Sequence, residues 1–258
     1  MESVAVTRPV FPILLLCLLL LLPACGKRGP LRPKLASLPA APADFQARQL
    51  GGELQLSWTL PGSNQDGSAL ENLRLLRLYR DPFEPADECP ECRESSVPYR
   101  EIDLDYLQQT RRQDNRLLLT DEAIEPGRGY RYRLVAVGAA GQEGAAAKLR
   151  IIAQAAAPVP QQLVAIPLDR QVRLNWAAVT APTGSTLIGY NVYRRTPATA
   201  FAETPANLTP LTVTSFDLFG LENGLPYIFG VRTLLQIDAE KVESLTAESG
   251  PIVPQSGQ

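Results

Sequence analysis

The chain has 258 residues, with 25 lysines and arginines, 27 aspartates and glutamates, and a formal net charge of -2. This length suits one or two domains. The near-neutral charge gives no field that would draw the protein onto DNA or RNA, so we expect no nucleic-acid partner. The sequence contains no histidine, which excludes Ser-His-Asp and Cys-His catalysis and His-ligated metal sites. The 23 prolines and 18 glycines indicate many turns and favour an all-β fold.

The first 24 residues have the pattern of a signal peptide. An uninterrupted apolar run extends from Ile13 to Leu22, and Arg8 is the only basic residue before it. The run is shorter than the roughly 20 apolar residues that a membrane-spanning helix needs. Residues 1–24 are therefore predicted to be removed, and a retained anchor helix is the alternative.

The end of this segment resembles the lipobox of bacterial lipoproteins. Ala24, a small residue, stands directly before Cys25, although Pro23 departs from the usual pattern. The resemblance implies that Cys25 is acylated, becomes the first residue of the mature protein and holds it on the membrane through covalent lipid. Gly26 stands where an aspartate would retain an enterobacterial lipoprotein in the inner membrane. The expected location is the outer membrane, at its periplasmic face or at the cell surface.

The residues from Cys25 to Leu31 carry a further resemblance. They read Cys-Gly-Lys-Arg-Gly-Pro-Leu and are similar to the start of a family of small lipoproteins, one of which is associated with lipopolysaccharide transport. This implies contact between the first mature residues and an outer-membrane assembly complex. The alternative is that the basic residues only lie near anionic headgroups. Residues 31–42 are rich in proline and alanine, so residues 25–41 are predicted to form an extended tether.

Beyond the tether, the chain repeats itself. Residues 42–58 and 160–176 align without a gap, which places Trp58 opposite Trp176. In each copy, apolar residues alternate with polar ones before the tryptophan, as in a strand with one buried face. Later, Tyr130 and Tyr227 each follow an aliphatic residue by six positions and begin an alternating segment. This spacing is typical of a tyrosine corner, in which the hydroxyl bonds to the turn backbone.

These features, with third strands at residues 73–80 and 187–195, resemble fibronectin type III domains. The resemblance implies an all-β fold of two tandem fibronectin type III (immunoglobulin-like) β-sandwiches after the signal peptide and tether. The sandwiches are expected at residues 42–155 and 158–250, with a tail at 251–258. The structural core is expected to include Trp58, Tyr130, Trp176 and Tyr227. A short linker at residues 155–160, stiffened by two prolines, predicts a semi-rigid pair.

The same family is used mostly for adhesion, spacing and protein contact. The resemblance therefore implies a non-catalytic binding or scaffolding protein without cofactors, whose partner is an unidentified envelope protein or glycan. The alternatives are an accessory role in outer-membrane assembly and a thiol-exchange role of two cysteines in the first copy.

Those cysteines lie in an insertion. The first copy is longer than the second, and its extra residues fall mostly between Asp81 and Asn115, where residues 104–112 are predicted to form a short helix. Cys89 and Cys92 have the spacing of a redox motif, half a zinc site or a small disulfide. An oxidising periplasm favours a disulfide. Acidic neighbours disfavour redox catalysis, and a zinc site within one chain lacks its other ligands, so an intermolecular metal site is the remaining alternative.

Arginines on the third and sixth strands form one more candidate site. These strands are neighbours in the predicted fold, and several of the side chains are expected to point outward together. Such a patch suits anionic sugar or phosphate groups, and the alternative is a solvated sheet face with scattered charge. The candidate binding residues are Arg77, Arg80, Arg131 and Arg133. Asn64–Ser68 resembles the start of a calcium loop but lacks the later glutamate, so a turn and no metal site are predicted.

Overall fold

The computed structural model describes residues 37–86 and 94–257, which fold as β-strands joined by turns and loops. Within these ranges there is no α-helix, and so no helix able to cross a membrane. Cys25, Cys89 and Cys92 lie outside the described residues, as do the predicted signal peptide and most of the predicted tether.

The first sandwich contains two antiparallel sheets. One has the strand order β1-β2-β6-β5 and the other the order β4-β3-β7-β8. Apolar side chains at alternate positions of both sheets, such as Leu56, Leu78 and Leu134, meet in one buried core. The strands are β1 (Ala43–Leu50), β2 (Glu53–Thr59), β3 (Leu75–Phe83), β4 (Arg100–Asp103), β5 (Thr110–Gln113), β6 (Arg116–Asp121), β7 (Gly129–Val137) and β8 (Glu143–Ile152).

The second sandwich repeats this plan with fewer strands. Its smaller sheet has the order β12-β10-β9, and in the other sheet β13 pairs with β11, β14 and β15. Val172, Leu174 and Val192 lie in its core. The strands are β9 (Val164–Leu168), β10 (Gln171–Asn175), β11 (Ser185–Arg195), β12 (Ser215–Phe219), β13 (Ile228–Ile237), β14 (Glu240–Glu243) and β15 (Ala247–Glu248).

The distribution of strands between the sheets is the same in both copies. The first strand pairs with the second, and the second pairs with the strand that precedes the tyrosine segment. The third strand pairs with the strand that the tyrosine introduces. The last strand of each copy, β8 or β15, also pairs with the strand that the tyrosine introduces, β7 or β13. This is the strand order of a fibronectin type III sandwich. The predicted fold class, all-β with two tandem sandwiches of this type, is confirmed.

The short helix predicted at residues 104–112 is wrong. Leu104 and Leu107 do pack against the first core, as their spacing indicates, but from an irregular segment. The amide of Asp105 donates to the side chain of Asp103 (2.9 Å), which turns the chain after β4. The following residues then pair with β6 as strand β5, which gives their backbone groups partners outside a helix.

Two segments that the sequence analysis placed outside the sandwiches pack onto them. The carbonyl of Pro39, near the end of the predicted tether, accepts a hydrogen bond from the amide of Ala145 (3.0 Å). Ile252, in the predicted tail, pairs with Tyr227 and packs against the second core. Residues at both ends of the described chain therefore complete the sandwiches instead of extending from them.

The two sandwiches share one sheet. β14 of the second sandwich pairs in parallel with β1 of the first, through Gln49↔Val242 and Leu50↔Glu243. The result is an eight-stranded sheet with the order β11-β13-β14-β1-β2-β6-β5, in which β15 pairs with β13 off the main path. The linker composition predicts restricted motion between the copies, and this shared sheet adds a direct backbone connection.

The linker itself is held at its start. The buried side chain of Gln49 donates to the carbonyl of Gln154 (2.7 Å) and accepts from its amide (2.8 Å). Further along, Ala157 is buried with Leu235 and Val242 in a small apolar cluster. The chain between the sandwiches is therefore fixed by hydrogen bonds as well as by its prolines.

Gly189 allows β11 to approach a neighbouring segment. The pairing of β11 with β13 shifts between Leu187 and Gly189, whose φ is +151°. A Cβ at Gly189 would collide with the carbonyl of Leu211, which is hydrogen-bonded to Tyr190 (2.9 Å). We expect Gly189→Ala to lower the free energy of unfolding by about 1–3 kcal/mol in urea titrations.

Gly52 provides the matched control for this prediction. It lies in the turn between β1 and β2, and a Cβ there would meet no atom within 4 Å. Gly52→Ala is expected to change the stability by less than about 0.5 kcal/mol. Equal losses for the two variants would contradict the argument.

Candidate functional site

The two tryptophans lie in the cores of the sandwiches. Trp58 ends the alternating part of β2 and meets Phe45 edge to face, with ring centroids 6.3 Å apart. Trp176 follows β10 and meets Tyr190 in the same way at 5.4 Å. Both indoles contribute packing, because each is almost completely buried.

The two tyrosines occupy equivalent turns. The hydroxyl of Tyr130 accepts a hydrogen bond from the amide of Glu125 (2.8 Å), and that of Tyr227 accepts one from the amide of Glu222 (3.2 Å). Each bond ties the start of a strand to the turn before it, which is the geometry of a tyrosine corner. Both hydroxyls are therefore used in the fold.

The four candidate arginines do not form one patch. Side chains alternate along β3, so Arg77 faces away from the core while Arg80 shares the side of the core residue Leu78. Arg131 and Arg133 on β7 lie on the outer face with Arg77. The structure thus brings three of the arginines together and places Arg80 at the end of the sandwich interior.

On the outer face, carboxylates pair with the three arginines. Glu143 receives hydrogen bonds from Tyr79, Arg77 (3.4 Å) and Arg133 (3.4 Å). Burial alone would raise the pKa of Glu143, but these hydrogen bonds and the charge of Arg133 hold it below its ordinary value. Arg131 pairs with Asp81 (3.1 Å). An anion at this face would compete with bound carboxylates, and anion binding here stays a prediction.

Arg80 belongs to a buried cluster around Asp121. The Asp121 carboxylate is 1% exposed and accepts hydrogen bonds from Arg80 (2.9 Å), Tyr132 (2.6 Å) and Tyr99 (2.9 Å). Burial acts to raise the pKa of Asp121, and the hydrogen bonds outweigh it and lower the pKa. Burial and the Asp121 contact raise the pKa of Tyr132. The cluster is closed to ligands, so its role is structural.

A cleft of about 220 Å³ lies between the two sandwiches. It was not predicted from the sequence. Four of its lining residues are arginines, and they come from both copies. The lining residues are Arg48, Gln55, Arg111, Arg195, Thr199, Ala200, Phe201, Ala202 and Arg232.

One wall of the cleft is the outer face of the first sandwich's β1-β2-β6-β5 sheet. Gln55 and Arg111 lie on this face, opposite the side that carries the core leucines of β2 and β6. The loop that follows β11 lies over the same sheet. Its residue Glu203 accepts from Arg116 through the side chain (3.1 Å) and from Arg48 through the carbonyl (2.8 Å). These bonds fix the loop that forms the opposite wall.

The floor of the cleft is a buried ion pair of the second sandwich. Arg232 donates to Glu243 (3.2 Å) and to Thr246 (2.7 Å). Its guanidinium lies 4.2 Å from the ring centroid of Tyr193, whose hydroxyl donates to the same Glu243 (2.7 Å). Burial, with the nearby Glu243 charge, raises the pKa of Tyr193, so its hydroxyl remains a donor. The floor is thus tied together by hydrogen bonds that converge on Glu243.

The cleft contains no group suited to acid–base or nucleophilic catalysis by the common routes. None of its lining residues is an aspartate, glutamate, cysteine or lysine. Across residues 37–86 and 94–257, no three cysteine, aspartate or glutamate side chains are placed to hold a metal ion. The geometry supports binding of an anionic group.

The cleft was missed because its residues are distant in sequence. Arg48 and Arg111 belong to the first copy, Arg195 and Arg232 to the second, and no motif spans them. The available signal was the presence of these arginines at strand positions that alternate with core residues. Their convergence depends on the β1–β14 pairing, which the side-chain pattern does not encode.

Comparison with known proteins is uninformative about function. No protein-family model matches the chain, and no curated protein matches it. Among solved structures, the chain is similar to the FN1–FN3 domains of chicken CNTN1, with 15% sequence identity and a TM-score of 0.35, over 85% of this chain and 69% of that one. The fold assignment rests on the strand order of the protein itself, which defines a tandem fibronectin type III β-sandwich with a cleft between its two copies.

Proposed function

We propose that the protein is a lipid-anchored, non-catalytic binding or scaffolding protein of the bacterial cell envelope. Cys25 carries the lipid, the outer membrane is the location, and the two sandwiches contact an envelope protein or glycan. A binding role agrees with the fold class, which presents sheet faces, edges and loops for contact.

The observation that carries the binding role is the cleft between the sandwiches. Residues of both copies line it, and hydrogen bonds from Arg48 and Arg116 to Glu203 hold its walls together. A site that combines fixed cationic side chains with no common catalytic group is suited to recognition.

The anchor is supported by the residues around the predicted cleavage site. The apolar run, Ala24 and Cys25 stand in the order that lipoprotein processing requires, and covalent acyl chains make membrane attachment effectively permanent. A protein held in this way would present both sandwiches to partners in the envelope.

Replacing Cys25 by serine tests the anchor. We expect the full-length wild-type protein, expressed in a Gram-negative bacterium, to incorporate labelled palmitate and to fractionate with the outer membrane. Cys25→Ser should abolish the label completely and remove the chain from the outer-membrane fraction, because no acyl chain can be attached.

Cys89→Ser is the matched control, since it makes the same change in another cysteine. It should leave both the label and the membrane fraction unchanged. Labelling of Cys25→Ser, or a wild-type mass without acyl chains, would exclude the proposed anchor.

A second candidate function is an accessory role in outer-membrane assembly, favoured by the resemblance at residues 25–31. Replacing residues 26–31 by an unrelated sequence while keeping Cys25 separates the two candidates. The accessory role requires that this variant stays lipidated but loses co-purification with the lipopolysaccharide-transport complex. Unchanged co-purification, or none in the wild type, would refute it.

A further inference from the structure

We infer that the cleft between the sandwiches binds a phosphate or carboxylate group carried on a sugar. The inference rests on the proposed binding role and is independent of the lipid anchor. It specifies both the chemical class of the ligand and the residues that receive it.

The first argument is charge. Four guanidinium groups line the cleft, and no carboxylate does. The carboxylates that pair with these arginines, Glu243 and Glu248, are not among the lining residues. The four arginines outnumber the two carboxylates that pair with them, so a net positive charge remains at the cleft. Phosphate and carboxylate groups match guanidinium geometry and form strong charge-assisted hydrogen bonds with it.

The second argument is preorganisation. Arg48 is held by Gln55 (3.0 Å) and the carbonyl of Glu203, and Arg195 by Glu248 (3.0 Å). Arg232 is held by Glu243 in the floor. These side chains are already ordered, so a ligand would not bear the entropic cost of fixing them.

Arg111 differs from the other three arginines. It is exposed on β5 and makes no hydrogen bond or ion pair with the other residues that the structure describes. Its five donors are therefore available to an incoming anion. We assign Arg111 the direct contact with the anionic group. The other three arginines contribute positive electrostatic potential that attracts it.

The third argument is size and shape. A volume of about 220 Å³ is smaller than the roughly 300–1,000 Å³ of typical small-molecule sites, so the cleft suits one charged sugar unit of a ligand. Phe201 adds an aromatic surface, packed against Tyr193 with ring centroids 6.4 Å apart and lying 5.1 Å from the Arg195 guanidinium. A ring carrying an anion contacts both kinds of surface.

Binding of sugar phosphate to the full-length protein in detergent tests this inference. Calorimetric titration with glucose 6-phosphate should give saturable binding that weakens as salt is raised. Uncharged glucose should not bind. Arg111→Ala should weaken glucose 6-phosphate binding at least about tenfold, since a hydrogen bond between charged groups is lost. Arg111→Lys should restore part of the affinity by keeping the charge.

Arg112→Ala is the matched control. Arg112 is the next residue of β5, faces the opposite side of the strand and donates to the carbonyl of Asp114 (2.9 Å). The Arg112→Ala substitution removes the same charge and should leave the affinity for glucose 6-phosphate unchanged. Absence of binding to the wild type, equal binding of glucose, or equal losses for Arg111→Ala and Arg112→Ala would overturn the assignment. The Cys25→Ser experiment reports only on the anchor, so failure of one proposal is distinguishable from failure of the other.

Discussion

Replacing Asp121 by asparagine is expected to lower the free energy of unfolding by about 3–5 kcal/mol, because it removes the counter-ion of the half-buried Arg80 and leaves buried donors without their acceptor. The Asp121 carboxylate lies at the end of β6 and accepts two hydrogen bonds from Arg80, both at 2.9 Å. Tyr132, Tyr99 and the amide of Ala123 donate to the same group. An asparagine cannot accept all of these bonds or neutralise the guanidinium. Urea titration of the full-length protein would measure the loss.

Asp217→Asn provides the control for this prediction. Asp217 forms a two-bond pair with Arg173 (2.8 and 2.9 Å), but the pair lies on the solvent side of the β10–β12 ladder. A pair in water contributes little, so the variant is expected to lose less than about 1 kcal/mol. Similar losses in both variants would show that burial of Asp121 does not carry the effect.

The Asp121 cluster also predicts a pH dependence. The pKa of Asp121 in the folded protein is below the ordinary aspartate value. The carboxylate therefore stabilises the fold fully above the unfolded-state pKa, and this contribution is lost as the pH falls through the folded-state pKa. The difference in stability between wild type and Asp121→Asn should be largest near neutral pH and should shrink under acid conditions. A difference that grows on acidification would contradict the assignment.

The sandwiches could be predicted from the sequence because their signals are local and occur twice. The alternation of apolar and polar residues before Trp58 and Trp176 indicates strands with one buried face, and the tyrosine spacing indicates a turn. The helix predicted at residues 104–112 failed because Leu104 and Leu107 have helical spacing without a helical backbone. A spacing of three residues suits any segment that returns to the same core, and strand pairing with β6 determined the backbone.

The relation between the copies could not be predicted, because backbone pairing carries almost no side-chain signature. A pair of similar clusters shows this. In the first copy, Glu143 accepts from Tyr79 and Arg133 on an open sheet face. In the second, Glu243 accepts from Tyr193 and Arg232, and the same strand pairs with β1 of the first copy. Similar residue types form a surface network in one copy and a buried contact between sandwiches in the other.

Glu243 therefore links the folding of the two sandwiches, and Glu243→Ala should uncouple them. The residue joins the copies through its backbone, whose carbonyl accepts from Gly51 (2.7 Å), and through its side chain, which lies 3.8 Å from Arg48. Alanine leaves the floor residue Arg232 buried without its counter-ion. We expect the free energy of unfolding of the second sandwich to fall by about 3–5 kcal/mol. The first sandwich should be affected less, because it loses only the contact between Arg48 and Glu243.

Each sandwich contains one tryptophan, so the uncoupling can be followed separately in the two copies. Fluorescence of Trp58 in a Trp176→Phe background and of Trp176 in a Trp58→Phe background should give coincident urea transitions when Glu243 is present. With Glu243→Ala, the Trp176 transition should move to lower urea and separate from that of Trp58. Glu240→Ala, on the same strand but away from Arg232, should keep the two transitions together. Coincident transitions in Glu243→Ala would mean that the β1–β14 backbone pairing alone couples the sandwiches, since that pairing is the part of the contact which the substitution leaves in place.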